Sequence, residues 1–173
     1  DMCRSHGTEQ CFVFGNLPYY ITSPILHHLF AATSCIRAMS LLVQREVAAR
    51  LSAAPGSRAY GYLSVLTQLH SRPRIALAVP PGAFSPPPKV HSALVCFEMQ
   101  PRFPEWNAEA TMPFLEFVKR CFAQKRKNLL NNLSRTYPRP RLEGELARLG
   151  LPLVIRAEQL TLEQFARLFQ RLG

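Results

Sequence analysis

The sequence predicts an α/β fold: part of an open twisted sheet ending in an antiparallel strand pair, followed by a small all-helical domain. Three observations carry this. As far as Met99, short apolar runs bounded by turn residues alternate with segments of helical spacing. The last two of those runs stand too close together for a crossover helix, so they are expected to pair antiparallel. Beyond Pro101 no strand-like run occurs, and Leu and Phe recur at helical spacing. The expected domains are therefore residues 1–101 and residues 102–173.

Cys11-Phe12-Val13-Phe14 is an apolar run closed by Gly15, which reads as a buried strand. Asn16-Leu17-Pro18-Tyr19 follows as a turn. Thr22 or Ser23 can cap a helix that has Pro24 in its first turn and carries Ile25, Leu26, Leu29 and Phe30. Met39 to Val43 reads as a second buried strand, and Gln44 to Leu51 as a helix stopped near Pro55-Gly56. Gly61 to His70 is helical, with Leu63, Leu66 and Leu69 on one face. Ile75 to Val79 is a strand, Pro80 to Lys89 a proline-rich loop, and Val90 to Met99 the last strand. This alternation argues for a parallel sheet. Pro101, Pro104 and Pro113 punctuate a linker. Helical spacing then groups Phe114, Phe117, Val118, Cys121 and Phe122, next Leu129, Leu130 and Leu133, next Leu142, Leu146 and Leu149, and last Leu162, Phe165, Leu168 and Phe169. Gly150-Leu151-Pro152 breaks the series.

Composition narrows the class. Of 173 residues, 47% are hydrophobic and 18% charged, which excludes a wholly disordered chain. No apolar run reaches the ~18 residues of a membrane span, and the start has no apolar stretch of a signal peptide. Lys and Arg number 21 against 11 Asp and Glu, a net charge of +10. That balance favours anionic partners, nucleic acid or a membrane surface, beside the plainer role of a solvated basic face. Residues 111–173 hold most of it, with 12 basic and 5 acidic groups. Cys3, Cys11, Cys35, Cys96 and Cys121 are odd in number, far apart and contain no C-x-x-C, so reduced thiols in a cytoplasm fit better than disulfides or zinc.

The turn Asn16-Leu17-Pro18-Tyr19 is the candidate for chemistry. In open α/β sheets ligands bind beyond the carboxyl ends of strands. Pro18 has no N–H and stiffens the turn, and it biases Leu17 away from helix, leaving carbonyls free. The Asn16 side-chain oxygen and the Leu17 carbonyl are two acceptors that suit the two N–H donors of an exocyclic amine. Tyr19 offers a flat face for stacking a base, worth roughly 1–3 kcal/mol. An ordinary turn uses the same residues, so the tetrapeptide alone leaves both readings open. His27 and His28, adjacent on a helix, face different ways and do not form an i, i+4 metal pair. No metal site is expected. His91 and Ser92 lack an identifiable Asp partner for a triad, and Cys11 and Cys96 read as inert core thiols. Pro86-Pro87-Pro88-Lys89 reads as a rigid loop between paired strands, with a polyproline ligand as the alternative.

Taken together, Phe14 to Pro24, Val43 to Ala48, Tyr60 to Val65, Val79 to Val90, Phe122 to Leu133 and Arg156 to Leu160 resemble, in the same order, motifs of the ribosomal RNA adenine dimethyltransferases. The resemblance runs from Asp1 nearly to the end. It implies the second half of a Rossmann-like class I methyltransferase sheet, S-adenosylmethionine as methyl donor, and dimethylation of N6 on adjacent adenines of small-subunit rRNA. It further implies that Asn16 and the Leu17 carbonyl hold the target amine, with Pro18 fixing the turn. Tyr19 stacks on the adenine, Phe84 packs on its other face or edge, and Asp1, with Asn16, touches the cofactor. Lys119, Arg120, Lys125, Arg126 and Lys127 would contact rRNA from a basic helix. Expected surroundings are an immature small ribosomal subunit, no membrane, and a monomer in the cytoplasm. The alternatives are a non-catalytic RNA-binding or ribosome-assembly module, or an adenine-N6 methylase of large-subunit rRNA.

The resemblance departs at one point. The family's glycine-rich turn and following acidic residue do not precede Asp1, and the eight glycines form no G-x-G. The cofactor site is therefore expected to be incomplete, and this chain alone inactive. Calorimetric titration of this chain with S-adenosylmethionine should show no tight binding; micromolar affinity contradicts that expectation.

Overall fold

The structure, a computed structural model, describes residues 10–173. The chain divides into two compact units, one containing the residues up to Ser52 with Leu66–Phe103, the other Ala53–Val65 with Pro104–Gly173. Asp1 and Cys3 lie outside the described residues.

The first unit is built on four strands: β1 (Cys11–Asn16), β2 (Ile36–Gln44), β3 (Ser71–Val79) and β4 (Ser92–Met99). Helix α1 (Thr22–Ala31) crosses from β1 to β2, and α2 (Arg45–Leu51) follows β2 directly. The sheet order is β1-β2-β4-β3. β1 and β2 are parallel, running from Cys11↔Ile36 to Asn16↔Leu42. β4 is antiparallel to both of its neighbours. The expected parallel sheet thus holds for one adjacent pair only. The proline-rich connection lets β4 turn back as a hairpin partner of β3, and it inserts between β3 and β2. β3 is longer than expected and includes Pro73, which an edge strand tolerates because its N–H need not enter the ladder.

Met39, Leu41, Val43, Ala93, Val95 and Phe97 form the buried face, with Leu26 and Phe30 of α1 and Ala48 and Leu51 of α2. Phe30 meets Phe97 edge-on at 6.0 Å and stacks on His70 at 5.4 Å. α1 differs from expectation at its start. Its cap residue is Ile21, without a side-chain cap, and the Thr22 hydroxyl donates instead to the Pro18 carbonyl at 3.1 Å. Cys11 and Cys96 are only half-buried, so they are not core thiols; among the described cysteines Cys121 is the fully buried one. Cys96 alternates away from the packed face and its Sγ lies 3.5 Å from Ser40 Oγ. Burial pushes the Cys121 thiol well above its usual range.

Burial also lowers the His70 imidazole from 6.5 to about 4. Above pH 6.5 folded and unfolded chains both hold it neutral. As pH falls towards 4 the unfolded chain takes up a proton that the folded chain refuses, so stability is lost across that window. The loss is on the order of 3 kcal/mol at about 1.4 kcal/mol per unit. His70→Phe should flatten the fall of the thermal midpoint between pH 6.5 and 4; an unchanged fall means other groups dominate.

The second unit contains α4 (Ala108–Cys121), α5 (Leu129–Leu133), α6 (Arg139–Arg148) and α7 (Leu162–Leu172). Helix α3 (Tyr62–His70) begins among its residues and ends among those of the first unit. Phe114, Phe117, Val118, Leu129, Leu130, Leu133, Leu142, Leu146, Phe165 and Leu168 make the core. Asn107 caps α4 by accepting from the Ala110 N–H at 3.0 Å, so the expected linker ends before Pro113, which sits inside the helix. The Trp106 ring meets Phe114 at 5.1 Å and Phe169 at 6.4 Å. Gly150 takes φ +66°, the left-handed conformation that closes α6 at little steric cost. Among the described residues no helix is long and apolar enough to cross a membrane.

Candidate active site

Asn16 is the last residue of β1, and the turn after it is fastened at several points. The Leu17 N–H donates to the Leu42 carbonyl of β2 at 3.0 Å, with the Leu17 side chain buried. Pro18, at φ −59° and ψ 126°, redirects the chain into a 3-10 turn at Tyr19–Ile21. Its carbonyl accepts from the Ile21 N–H at 3.2 Å and the Thr22 hydroxyl at 3.1 Å. These bonds occupy the Pro18 carbonyl. Among the described residues they leave the Leu17 carbonyl and the exposed Asn16 amide without an intramolecular partner.

Tyr19 is half-buried, and its hydroxyl lies 2.5 Å from the hydroxyl of Ser92, the fully buried first residue of β4. The tether fixes the ring beside an open cleft. Asn16, Leu17, Pro18, Tyr19, Phe84, Pro86 and Pro88 line that cleft, which encloses about 310 Å³. This is near the lower end of the ~300–1,000 Å³ typical of small-molecule sites. All five residues expected to handle the base therefore meet around one space. Among the described residues no carboxylate, Lys or Arg is in its walls. Among the described residues the cleft is thus bordered by Asn16 and Leu17, two aromatic rings and stiff prolines, with no carboxylate or Lys to act as a general base. Such a set can orient an amine and favour positive charge on it.

Ser92, Pro86 and Pro88 were not singled out for the site by sequence. Ser92 was legible only as a possible nucleophile beside His91. Its position opposite Gln44 and Val79 in the sheet aims its hydroxyl at Tyr19. The basic residues lie elsewhere, on the helical unit. Lys119 and Arg120 occupy the last turn of α4, where Lys119 pairs with Glu116 at 3.5 Å. Lys125, Arg126 and Lys127 sit on a non-helical turn, not on the expected basic helix. The Asn132 amide donates to the Cys121 carbonyl at 2.7 Å and the Gln124 carbonyl at 3.2 Å, folding the chain away from the helix axis. Lys125 Nζ donates to the Arg58 carbonyl at 2.7 Å.

A half-open sheet with a ligand-sized cleft at the carboxyl end of a parallel strand defines a Rossmann-like α/β protein. Solved structures agree. The 23S rRNA methyltransferase ErmE is 28% identical with a TM-score of 0.68, over 95% of this chain and 66% of that one. A dimethyladenosine transferase from Plasmodium falciparum, 23% identical, shares the fold with a TM-score of 0.76, over 91% of this chain and 64% of that one. The family model for ribosomal RNA adenine dimethylase matches residues 2–173, and the chain belongs to that family. Proteins named ribosomal RNA small subunit methyltransferase A are similar to it. That of Acidobacterium capsulatum is 47% identical over 165 residues, covering 95% of this chain and 58% of its own length. That of Latilactobacillus sakei is 42% identical over 169 residues, covering 94% and 56%. The chain thus spans less than three-fifths of the length of these relatives.

Proposed function

We propose that the protein carrying this chain is an S-adenosylmethionine-dependent dimethyltransferase of adenine N6 in small-subunit rRNA. The observation that carries this reading is the pair of unpartnered oxygens, from Asn16 and Leu17, beside the tethered Tyr19 ring in one cleft. Adenine enters after leaving its stack, with Tyr19 against one face and Phe84 against the other face or edge. The Asn16 amide oxygen and the Leu17 carbonyl accept the two N–H bonds of the amine. This turns the nitrogen lone pair out of conjugation with the ring and towards the methyl donor. S-adenosylmethionine, when bound, would supply the electrophilic methyl group, its S–CH3 bond breaking as the N–CH3 bond forms and its sulfur leaving as a neutral thioether. As positive charge grows on nitrogen, both oxygens stabilise it, and because they are already fixed the contribution is orientation plus electrostatics. The proton is lost after transfer, from a cationic amine acidic enough to give it to water.

The described residues fit the reacting end of that cofactor and no more. Asn16 is exposed and unpartnered where the methyl would arrive, whereas no carboxylate lines the cleft to hold a ribose. Asp1, the other expected contact, lies outside the described residues. The basic side chains Lys119, Arg120, Lys125, Arg126 and Lys127 would contact rRNA phosphates, and the protein would act as a monomer on an immature subunit in the cytoplasm.

Large-subunit rRNA is the second reading, favoured by the ErmE likeness. Relatives named for the small subunit reach 47% identity against 28% for ErmE and weigh the other way. The test is methyl transfer by the full-length protein to unmodified small and large subunits, with digested rRNA read by mass spectrometry. N6,N6-dimethyladenosine in the small-subunit RNA is expected. Product confined to the large subunit, or RNA binding with no product, overturns the reading.

A further inference from the structure

We propose that a cavity between the C-terminal end of α6 and α7 binds a phosphodiester of the RNA backbone, at a site separate from the Lys125–Lys127 turn. It encloses about 580 Å³ and is lined by Arg148, Leu149, Arg167, Gln170 and Arg171. Glu145, only 7% exposed, pairs with two of these arginines. One carboxylate oxygen of Glu145 accepts from Arg148 at 2.5 Å and the other from Arg171 at 3.3 Å. The two guanidinium groups are thereby held in fixed orientations, each with further N–H donors directed to solvent.

Charge accounting singles out Arg167. Cations at helix C-termini are ordinarily explained by the helix dipole. Here Arg141 already donates to the Arg171 and Gly173 carbonyls at the end of α7, at 3.2 and 3.4 Å, and Arg148 stands in the last turn of α6. Glu145 offsets one further charge. Arg167 lies a turn before Arg171, and among the described residues it makes no ion pair or hydrogen bond. Glu163, four residues before Arg167, supports the helix locally at the favourable i, i+4 spacing, but the three lining arginines share the single buried carboxylate of Glu145, and an anion between the guanidinium groups would balance them. Guanidinium pairs match phosphate oxygens in bidentate fashion. Leu149 is the one apolar residue in the lining and there is no aromatic wall, so the cavity has no platform for a base. That favours a backbone phosphate, which fixes register without reading sequence.

This site rests on the RNA reading above, and the experiment separates the two. Affinity of the full-length protein for an unmodified small-subunit rRNA transcript is measured against salt concentration for the wild type, Arg167→Gln and Arg167→Glu. Arg167 makes no bond to another part of the protein among the described residues, so thermal midpoints should be no lower than that of the wild type. Loss of one phosphate contact should lower the slope of log affinity on log salt by about 0.7–0.9. Affinity should fall several-fold for Arg167→Gln and further for Arg167→Glu. Wild-type affinity and slope in both variants overturn the site while leaving the RNA reading intact. No RNA binding by the wild type overturns both. Millimolar inorganic phosphate that raises the wild-type but not the Arg167→Glu midpoint, with RNA affinity unchanged between them, assigns the cavity to free phosphate and overturns the backbone proposal.

Discussion

Asn16→Ala in the full-length protein should lower methyl transfer by about 10²–10³-fold, the scale seen when one fixed polar group facing developing charge is removed. Binding of RNA should be unchanged, because the amide meets the base only after it has left its stack. The Asn16 amide is exposed at the end of β1, so its removal leaves no buried orphan and the fold should keep its thermal midpoint. Asn16→Asp sharpens the test. A carboxylate of the same shape still accepts the amine N–H and attracts the growing cation, so it should retain more activity than Ala. If instead Ala and Asp fail alike, shape or a donated N–H matters and the acceptor role is wrong. Full turnover by Asn16→Ala removes the chemistry assigned to the turn.

The turn was legible because its chemistry is local. Asn, Pro and an aromatic residue after an apolar run imply a stiff bend with free oxygens whatever surrounds it. The strands and helices were legible for the same reason, through apolar spacing. What depends on distant residues was not. The insertion of β4 between β2 and β3 is a choice of partner, and both neighbours of β4 are apolar enough to accept it. Trp106 looks alone in sequence but meets Phe114 and Phe169 in space. Pro113 reads as a linker residue, yet Asn107 has already started α4, and the hydrogen bond its ring forfeits lies beside the exposed Glu109. The helix expected through Lys127 stops at Cys121 because a side chain eleven residues away, Asn132, binds the Cys121 carbonyl. The Arg167 cavity was hidden likewise, since Arg148, Arg167 and Arg171 meet only when α6 and α7 pack.

Tyr19→Ala should lower kcat/KM by about 5- to 150-fold, the equivalent of the 1–3 kcal/mol that a stacked base contributes. Tyr19→Phe separates the ring from its hydroxyl. Stacking survives, and the bond to Ser92 is lost, which at about 0.5–1.5 kcal/mol predicts a loss of roughly 2- to 12-fold. Ser92→Ala breaks the same bond from the other side. Ser92 is fully buried and does not line the cleft, so any effect on catalysis must pass through the orientation of Tyr19. The double variant Tyr19→Phe with Ser92→Ala should then be no worse than the poorer single variant, because both remove one interaction. Losses that multiply would mean that the hydroxyls act separately and that the ring is held by packing. A Tyr at this position, where Phe would stack as well, is accounted for only if that coupling is found: the hydroxyl holds the plate at the angle the amine requires, and the ring does the stacking.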